Sequence, residues 1–142
     1  MTTIEDWLKI PYKPYARGWG ASDCWGLVCI VRKAIRGDEL PLLLEVPGIS
    51  DKRAMTRTTH GMIERGFRQI TNPRPGALVA VWRGRLCLHV GIVITIDGRL
   101  AVIDSNEKRG VRWQWLPDFE RQHLRVTYHD NNDHNLSIQP SR

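Results

Sequence analysis

Cys24, His89 and Asp104 are the three residues whose types and placement suit nucleophilic catalysis. Cys24 directly follows Ser22-Asp23, both favoured helix N-caps. Its thiol therefore falls in the first turn of a helix, where orphan N–H groups and the positive dipole end stabilise a thiolate. A nucleophilic thiol needs a base held beside it. Of the five histidines, His60, His89, His123, His129 and His134, only His89 lies inside a clear strand pattern, Cys87-Leu88-His89-Val90-Gly91-Ile92-Val93-Ile94. Val90, Ile92, Ile94 and Ile96 make an apolar wall on one face, and His89 shares the other with Gly91, Val93 and Thr95. The bare Gly91 leaves room above the sheet beside the imidazole, which suits a cleft.

The third member follows from hairpin register. Asp97-Gly98 between two alternating runs is a two-residue turn signal, so Ile96 faces Arg99. Gly91 then faces Asp104 and His89 faces Asn106, which puts both polar side chains on the His89 face and Ile103 on the other. Asp104 is a diagonal neighbour of His89, within reach to fix its tautomer and stabilise the imidazolium. Asn106 falls where the strand gives way to the Glu107-Lys108-Arg109-Gly110 turn, so Asp104 is the expected orienter.

The elements that must hold these residues read as follows. Apolar positions Cys24, Leu27, Val28, Val31 and Ile35 form a helical stripe that runs to Arg36, with Gly37 as the stop. Arg32, Lys33 and Arg36 complement its C-terminal dipole. Residues 4–16 read as an entry segment made extended by Pro11-Tyr12 and Pro14-Tyr15. Residues 38–49 read as a covering loop or short strand, and Ser50 opens a second helix that ends near Gly66. After the Pro73-Arg74-Pro75-Gly76 turn the period changes to two. Strands are expected at Ala77–Trp82, Cys87–Ile96, Arg99–Asp104, Val111–Trp115 and Leu124–Tyr128. A helix followed by antiparallel strands is α+β. The polar stretch from His129 to Arg142 reads as a tail or docking peptide after a domain at 1–128.

Composition narrows the class. The chain has 142 residues, enough for one domain, with 42% hydrophobic and 25% charged residues. Those values exclude a wholly disordered chain and a collagen-like fibre. No run approaches the roughly 18 apolar residues of a membrane helix. The acidic start, Met1-Thr2-Thr3-Ile4-Glu5-Asp6-Trp7, is not a signal peptide pattern, so the chain is expected to be made in the cytoplasm. The net charge of +6 favours anionic partners, but the basic residues come singly or in pairs and no nucleic-acid motif accompanies them. Three cysteines, Cys24, Cys29 and Cys87, argue against a disulfide framework.

Asp23-Cys24-Trp25-Gly26-Leu27-Val28, Pro75-Gly76-Ala77-Leu78-Val79 and His89-Val90-Gly91-Ile92-Val93, in this order, resemble the NlpC-type cysteine peptidases. Trp25 resembles the stand-alone versions found in tailed-phage tail modules, and Pro11-Tyr12 is similar to the family's Pro-Tyr pair ahead of its cysteine. The resemblance covers approximately residues 4–128 and departs at the third catalytic position, where the family usually has His and this chain has Asp104. It implies a papain-like fold, with the Cys24 helix on an antiparallel sheet of about five strands. It implies hydrolysis of peptidoglycan stem peptides without a cofactor or metal, with Cys24 as nucleophile and His89 as proton relay. The Cys24 N–H and Tyr12 would serve the oxyanion, with Asp23 and Trp25 flanking the cleft and Trp19 and Trp82 as further cleft walls or core. It also implies a virion tail-tip location with other tail or hub proteins as partners.

Two other readings compete. Cys87 and His89 two apart on one strand face, joined by Cys24 and Asp104, would make a four-ligand zinc site. A structural tail protein would keep the fold without the activity.

Overall fold

The computed structural model describes residues 3–40 and 66–131. The expected helix from Ser50, the Leu42-Leu43-Leu44 loop and the tail beyond residue 131 lie outside the described residues.

The cysteine helix forms as the caps dictate. It runs Cys24–Arg36 (α2), with the Asp23 side chain accepting from the Gly26 N–H at 2.9 Å and Gly37 closing it in the left-handed conformation. A short helix Ile4–Leu8 (α1) precedes it where an extended entry was expected. Its cause is a capping box: Thr3 accepts from the Asp6 N–H and the Asp6 carboxylate accepts from the Thr3 N–H.

The strands are Arg68–Ile70 (β1), Leu78–Arg83 (β2), Leu86–Ile96 (β3), Arg99–Asn106 (β4), Gly110–Trp115 (β5) and Arg125–Asp130 (β6). They form one antiparallel six-stranded sheet in the order β1-β6-β2-β3-β4-β5, so the protein is α+β. The five expected strands are all present within two residues at their ends, and the three-residue β1 is the addition. Another addition is the helix Leu116–Arg121 (α3), started by Pro117 in its first turn.

The β3–β4 turn has two residues, as read. Asp97 and Gly98 both have positive φ, 51° and 78°, the primed-turn geometry that matches strand twist. Ile96 pairs with Arg99 and Ile92 with Ile103. From Ile92 to Ile103, the side chains on both strands therefore point to the expected faces.

Alternation divides the core into two layers. Helix α2 packs on β3 and β4 over Leu78, Ala80, Val90, Ile92, Ile94 and Ile103. The opposite face buries Val79, Val81, Val93 and Val102 under Phe119 of α3 and Tyr128.

The last strand extends past its expected end at Tyr128. Strand β6 continues through His129 and Asp130, both buried. The physical reason is a charge cluster at the far end of α2. The Asp130 carboxylate accepts from Arg32 at 3.0 Å, Arg36 at 2.6 Å and Arg74 at 2.6 Å. Arg32 is itself fully buried and also bonds Asp38 and the Gly76 carbonyl. Two of the three basic residues assigned to the helix dipole thus clamp α2 to β6. Among the described residues, no helix is long and apolar enough to cross a membrane.

Candidate active site

The site lies where the N-terminus of α2 meets the open end of the β3–β4 ladder. That ladder runs from Ile96–Arg99 to Ile92–Ile103 and stops there. Gly91 lets the two backbones stay close at this end. A Cβ on it would lie 3.1–3.2 Å from Ile103 O, Asp104 Cβ and Val102 Cγ1, tighter than side chains ordinarily pack. The glycine expected to leave space beside His89 thus sets the approach of Asp104.

A β-bulge aims the imidazole. His89 pairs with Val81 of β2, but Cys87, not Leu88, pairs with Trp82. Leu88 is the extra residue. Bulges of this kind re-aim side chains beside functional sites. Here it sends Cys87 into the α2-side core and leaves His89 on the Val81 face.

His89 Nε2 lies 2.7 Å from Asp104 Oδ2. Cys24 is the second side chain that acts on this ring, through hydrogen bonding and charge. With Nε2 held by Asp104, Nδ1 is the nitrogen left for Cys24. The His89 side chain is 13% exposed and that of Asp104 3% exposed. Burial works against a charged imidazole, but the hydrogen bonds to Asp104 and Cys24, reinforced by their charges, outweigh it. They raise His89 from 6.5 to about 10. The arrangement therefore favours the charged form of the ring.

Of the two candidates for the third position, Asp104 is the one that reaches His89. The Asn106 side chain is engaged elsewhere, accepting from the Lys108 and Arg109 N–H groups at 3.0 and 2.8 Å. It caps the β4–β5 turn.

The flanking residues are placed as follows. Tyr12 forms an isolated bridge to Ser22 and sits within the electrostatic reach of Cys24, Asp23 and Glu107. Burial, reinforced by its electrostatic surroundings, pushes its phenol up to about 12, so it remains a hydrogen-bond donor. Asp23 caps α2 and pairs with Arg17 at 3.1 Å, both side chains almost fully buried. Burial raises the Asp23 carboxyl above its usual range, opposed by the Gly26 N–H and the Arg17 charge. Trp25 is 3% exposed and packs in the α2-side core, so it offers little surface to a bound peptide. Trp82 is core as well and donates to Thr127 at 2.6 Å. Trp19 is exposed, in a depression beside Cys29, Ile30 and Lys33.

The four-ligand zinc arrangement does not assemble. The bulge puts Cys87 and His89 on opposite faces, and the Cys87 thiol lies 3.6 Å from the His89 carbonyl oxygen. Among the described residues, no three Cys, His, Asp or Glu side chains are placed to share a metal ion.

Two further residues reach the site without having been assigned to it. Arg112 stands directly opposite Asp104 across β4–β5, with Nε 3.9 Å from Asp104 Oδ1. His123, just after α3, packs on Phe119. Burial, then the charges of His89 and Arg112, hold its pKa below the ordinary value, against an opposite effect from Asp104. Arg112 was not legible from the turn as read: a Glu107–Gly110 loop would pair Asp104 with Trp113, whereas Gly110 joins the strand, pairs with Asn106 and brings Arg112 opposite Asp104.

No protein-family model matches this chain, and no curated protein matches it.

Proposed function

We propose that the protein is a papain-like cysteine peptidase of the NlpC type that hydrolyses peptidoglycan stem peptides, acting as a phage or prophage tail-tip component in genome entry or tail assembly. The observation that carries the reading is the His89 ring. One nitrogen is bound to a buried carboxylate, and the ring faces a cysteine in the first turn of a capped helix.

In this mechanism the Cys24 thiolate attacks the scissile carbonyl and a C–S bond forms. The Cys24 N–H in the first helical turn and the Tyr12 hydroxyl stabilise the oxyanion. The imidazolium of His89 gives its proton to the leaving amine as the C–N bond breaks, which leaves a thioester on Cys24. His89, now neutral, takes a proton from water as that water attacks the thioester. The new carboxylate leaves, and the thiolate–imidazolium pair returns. Asp104 holds the ring tautomer throughout.

One observation favours a second reading, a structural tail protein of the same fold. Cys24 has no exposed surface, so a substrate carbonyl reaches the sulfur only after a neighbouring group moves.

The test is release of new amino groups from soluble peptidoglycan fragments. Under the peptidase reading wild type releases them, and Cys24→Ala and His89→Ala are folded and inactive. Chelator leaves the activity intact, as does Cys87→Ala. Wild type that is inert on all walls tested yet assembles into particles establishes the structural reading.

A further inference from the structure

Asp104 presents two oxygens to different partners. Oδ2 takes the His89 hydrogen bond. Oδ1 is buried and makes no hydrogen bond, and the buried Nε of Arg112 makes none either. These two atoms face each other at 3.9 Å, an ion-pair distance longer than a hydrogen bond. The strand register imposes the contact, because directly opposed side chains on one face of an antiparallel pair are nearest neighbours. Helix α3 closes over this face, and β4 and β5 both pack against it. Among the described residues, the charged and titratable groups around the Asp104 carboxyl are His89 from β3, Arg112 from β5 and His123 from the segment after α3.

We propose that Arg112 is a positioning residue for the Cys24–His89–Asp104 centre: its guanidinium holds Oδ1 of Asp104 so that Oδ2 stays aimed at His89 Nε2. The inference rests on the peptidase reading for its catalytic meaning but not for its geometry. A carboxylate flanked only by His89 is free to turn about its Cβ–Cγ bond and offer either oxygen. A cation fixed on the neighbouring strand removes that freedom. His123 does not substitute for it, because burial lowers its pKa and disfavours the charge that holding a carboxylate requires. The role suits Arg, whose guanidinium stays charged and is less strongly hydrated than an ammonium.

The experiment reads the His89 Nε2–H proton by NMR in wild type, Arg112→Met and Arg112→Lys, with amino-group release measured on the same samples. In wild type the Nε2–H resonance is downfield and exchanges slowly with water. In Arg112→Met it is expected to exchange at least tenfold faster and kcat to fall several-fold with KM little changed. Arg112→Lys restores part of both. If Arg112→Met does not fold, Arg112→Gln carries the same expectation. An Nε2–H signal and a kcat that stay within twofold of wild type in the folded Met or Gln variant overturn the proposal. Altered exchange in a protein that hydrolyses no wall fragment supports the positioning role and sinks only the peptidase reading. A wild-type His89 with no protected Nε2–H overturns both.

Discussion

His89 Nε2 and Asp104 Oδ2 lie 2.7 Å apart across two strands whose ladder has already ended at Ile92–Ile103. The contact is made by side chains alone. It depends on the bulge at Leu88, the missing Cβ of Gly91 and the two-residue turn at Asp97-Gly98.

That contact has a pH signature. The folded-state pKa of His89 is raised from 6.5 to about 10 by Asp104 and Cys24 against the effect of burial. The native state therefore holds a proton that the unfolded chain releases above about 6.5. The resulting stabilisation is complete below that pH and is lost as pH rises toward about 10. Urea denaturation at pH 6, 8 and 10 should show this decline in wild type and a smaller one in Asp104→Asn. An identical decline in both proteins would mean that Asp104 does not sustain the imidazolium.

On activity, Asp104→Ala should lower kcat by about one to three kcal/mol, whereas Asn106→Ala should change it far less. Asn106 serves the β4–β5 turn. Steady-state rates on wall fragments decide the ranking, and an equal loss in both variants refutes it.

Gly91→Ala would force a Cβ to 3.1–3.2 Å from Ile103, Asp104 and Val102. The expected cost is about 1–3 kcal/mol from overpacking, together with loss of the protected His89 Nε2–H. Gly18→Ala, which meets nothing within 4 Å, is the control and should stay within about 0.5 kcal/mol. Chemical denaturation of the pair separates the effect of close approach from the general effect of losing a glycine.

Asp23 combines a helix cap with a buried partner for Arg17. Asp23→Asn keeps a capping oxygen and removes the charge, whereas Asp23→Ala removes both. Both variants should be destabilised, the Ala variant by about 1 kcal/mol more than the Asn variant. Equal losses would show that the ion pair alone matters.

At the other end of α2, Asp130→Asn removes one of the two carboxylates on the fully buried Arg32 and leaves it Asp38. The expected loss is about 1.5–3 kcal/mol, the worth of a hydrogen bond to a charged group. Burial works against the Asp130 carboxylate, but bonds to Arg36 and Arg74 and the Arg32 charge lower its pKa from 3.8 to about 2. Its contribution is present above about pH 4 and is lost as pH falls toward 2. Acid titration followed by circular dichroism should show wild type losing stability in that window and Asp130→Asn losing less.

What was legible in the sequence was what local rules determine. Asp23 and Gly37 fixed the ends of α2, and Asp97-Gly98 fixed the register that carries Asp104 to His89. The bulge at Leu88 was not legible, because alternation gives no sign of an extra residue until the partner strand is known. It is also why Cys87 and His89, two apart, do not share a face. Asp130 read as tail because its three arginine partners are far away in the chain. The short helices α1 and α3 were marked by the Thr3/Asp6 box and by Pro117, signals too small to stand out from the surrounding turns.

In the proposed mechanism Cys24 is the thiol that His89 activates. The direct measurement is iodoacetamide labelling of the native protein near neutral pH, with labelled peptides identified by mass spectrometry over time. Burial pushes the Cys29 thiol up to about 12, with only partial relief from Arg17, and Cys87 is buried against the His89 carbonyl. Cys24 is as buried as Cys87 but is the thiol that acts on the His89 ring, so it should be labelled first as neighbouring groups move, and the preference should vanish in His89→Ala. Labelling of Cys29 or Cys87 ahead of Cys24, or a Cys24 rate unchanged by loss of His89, would contradict the account.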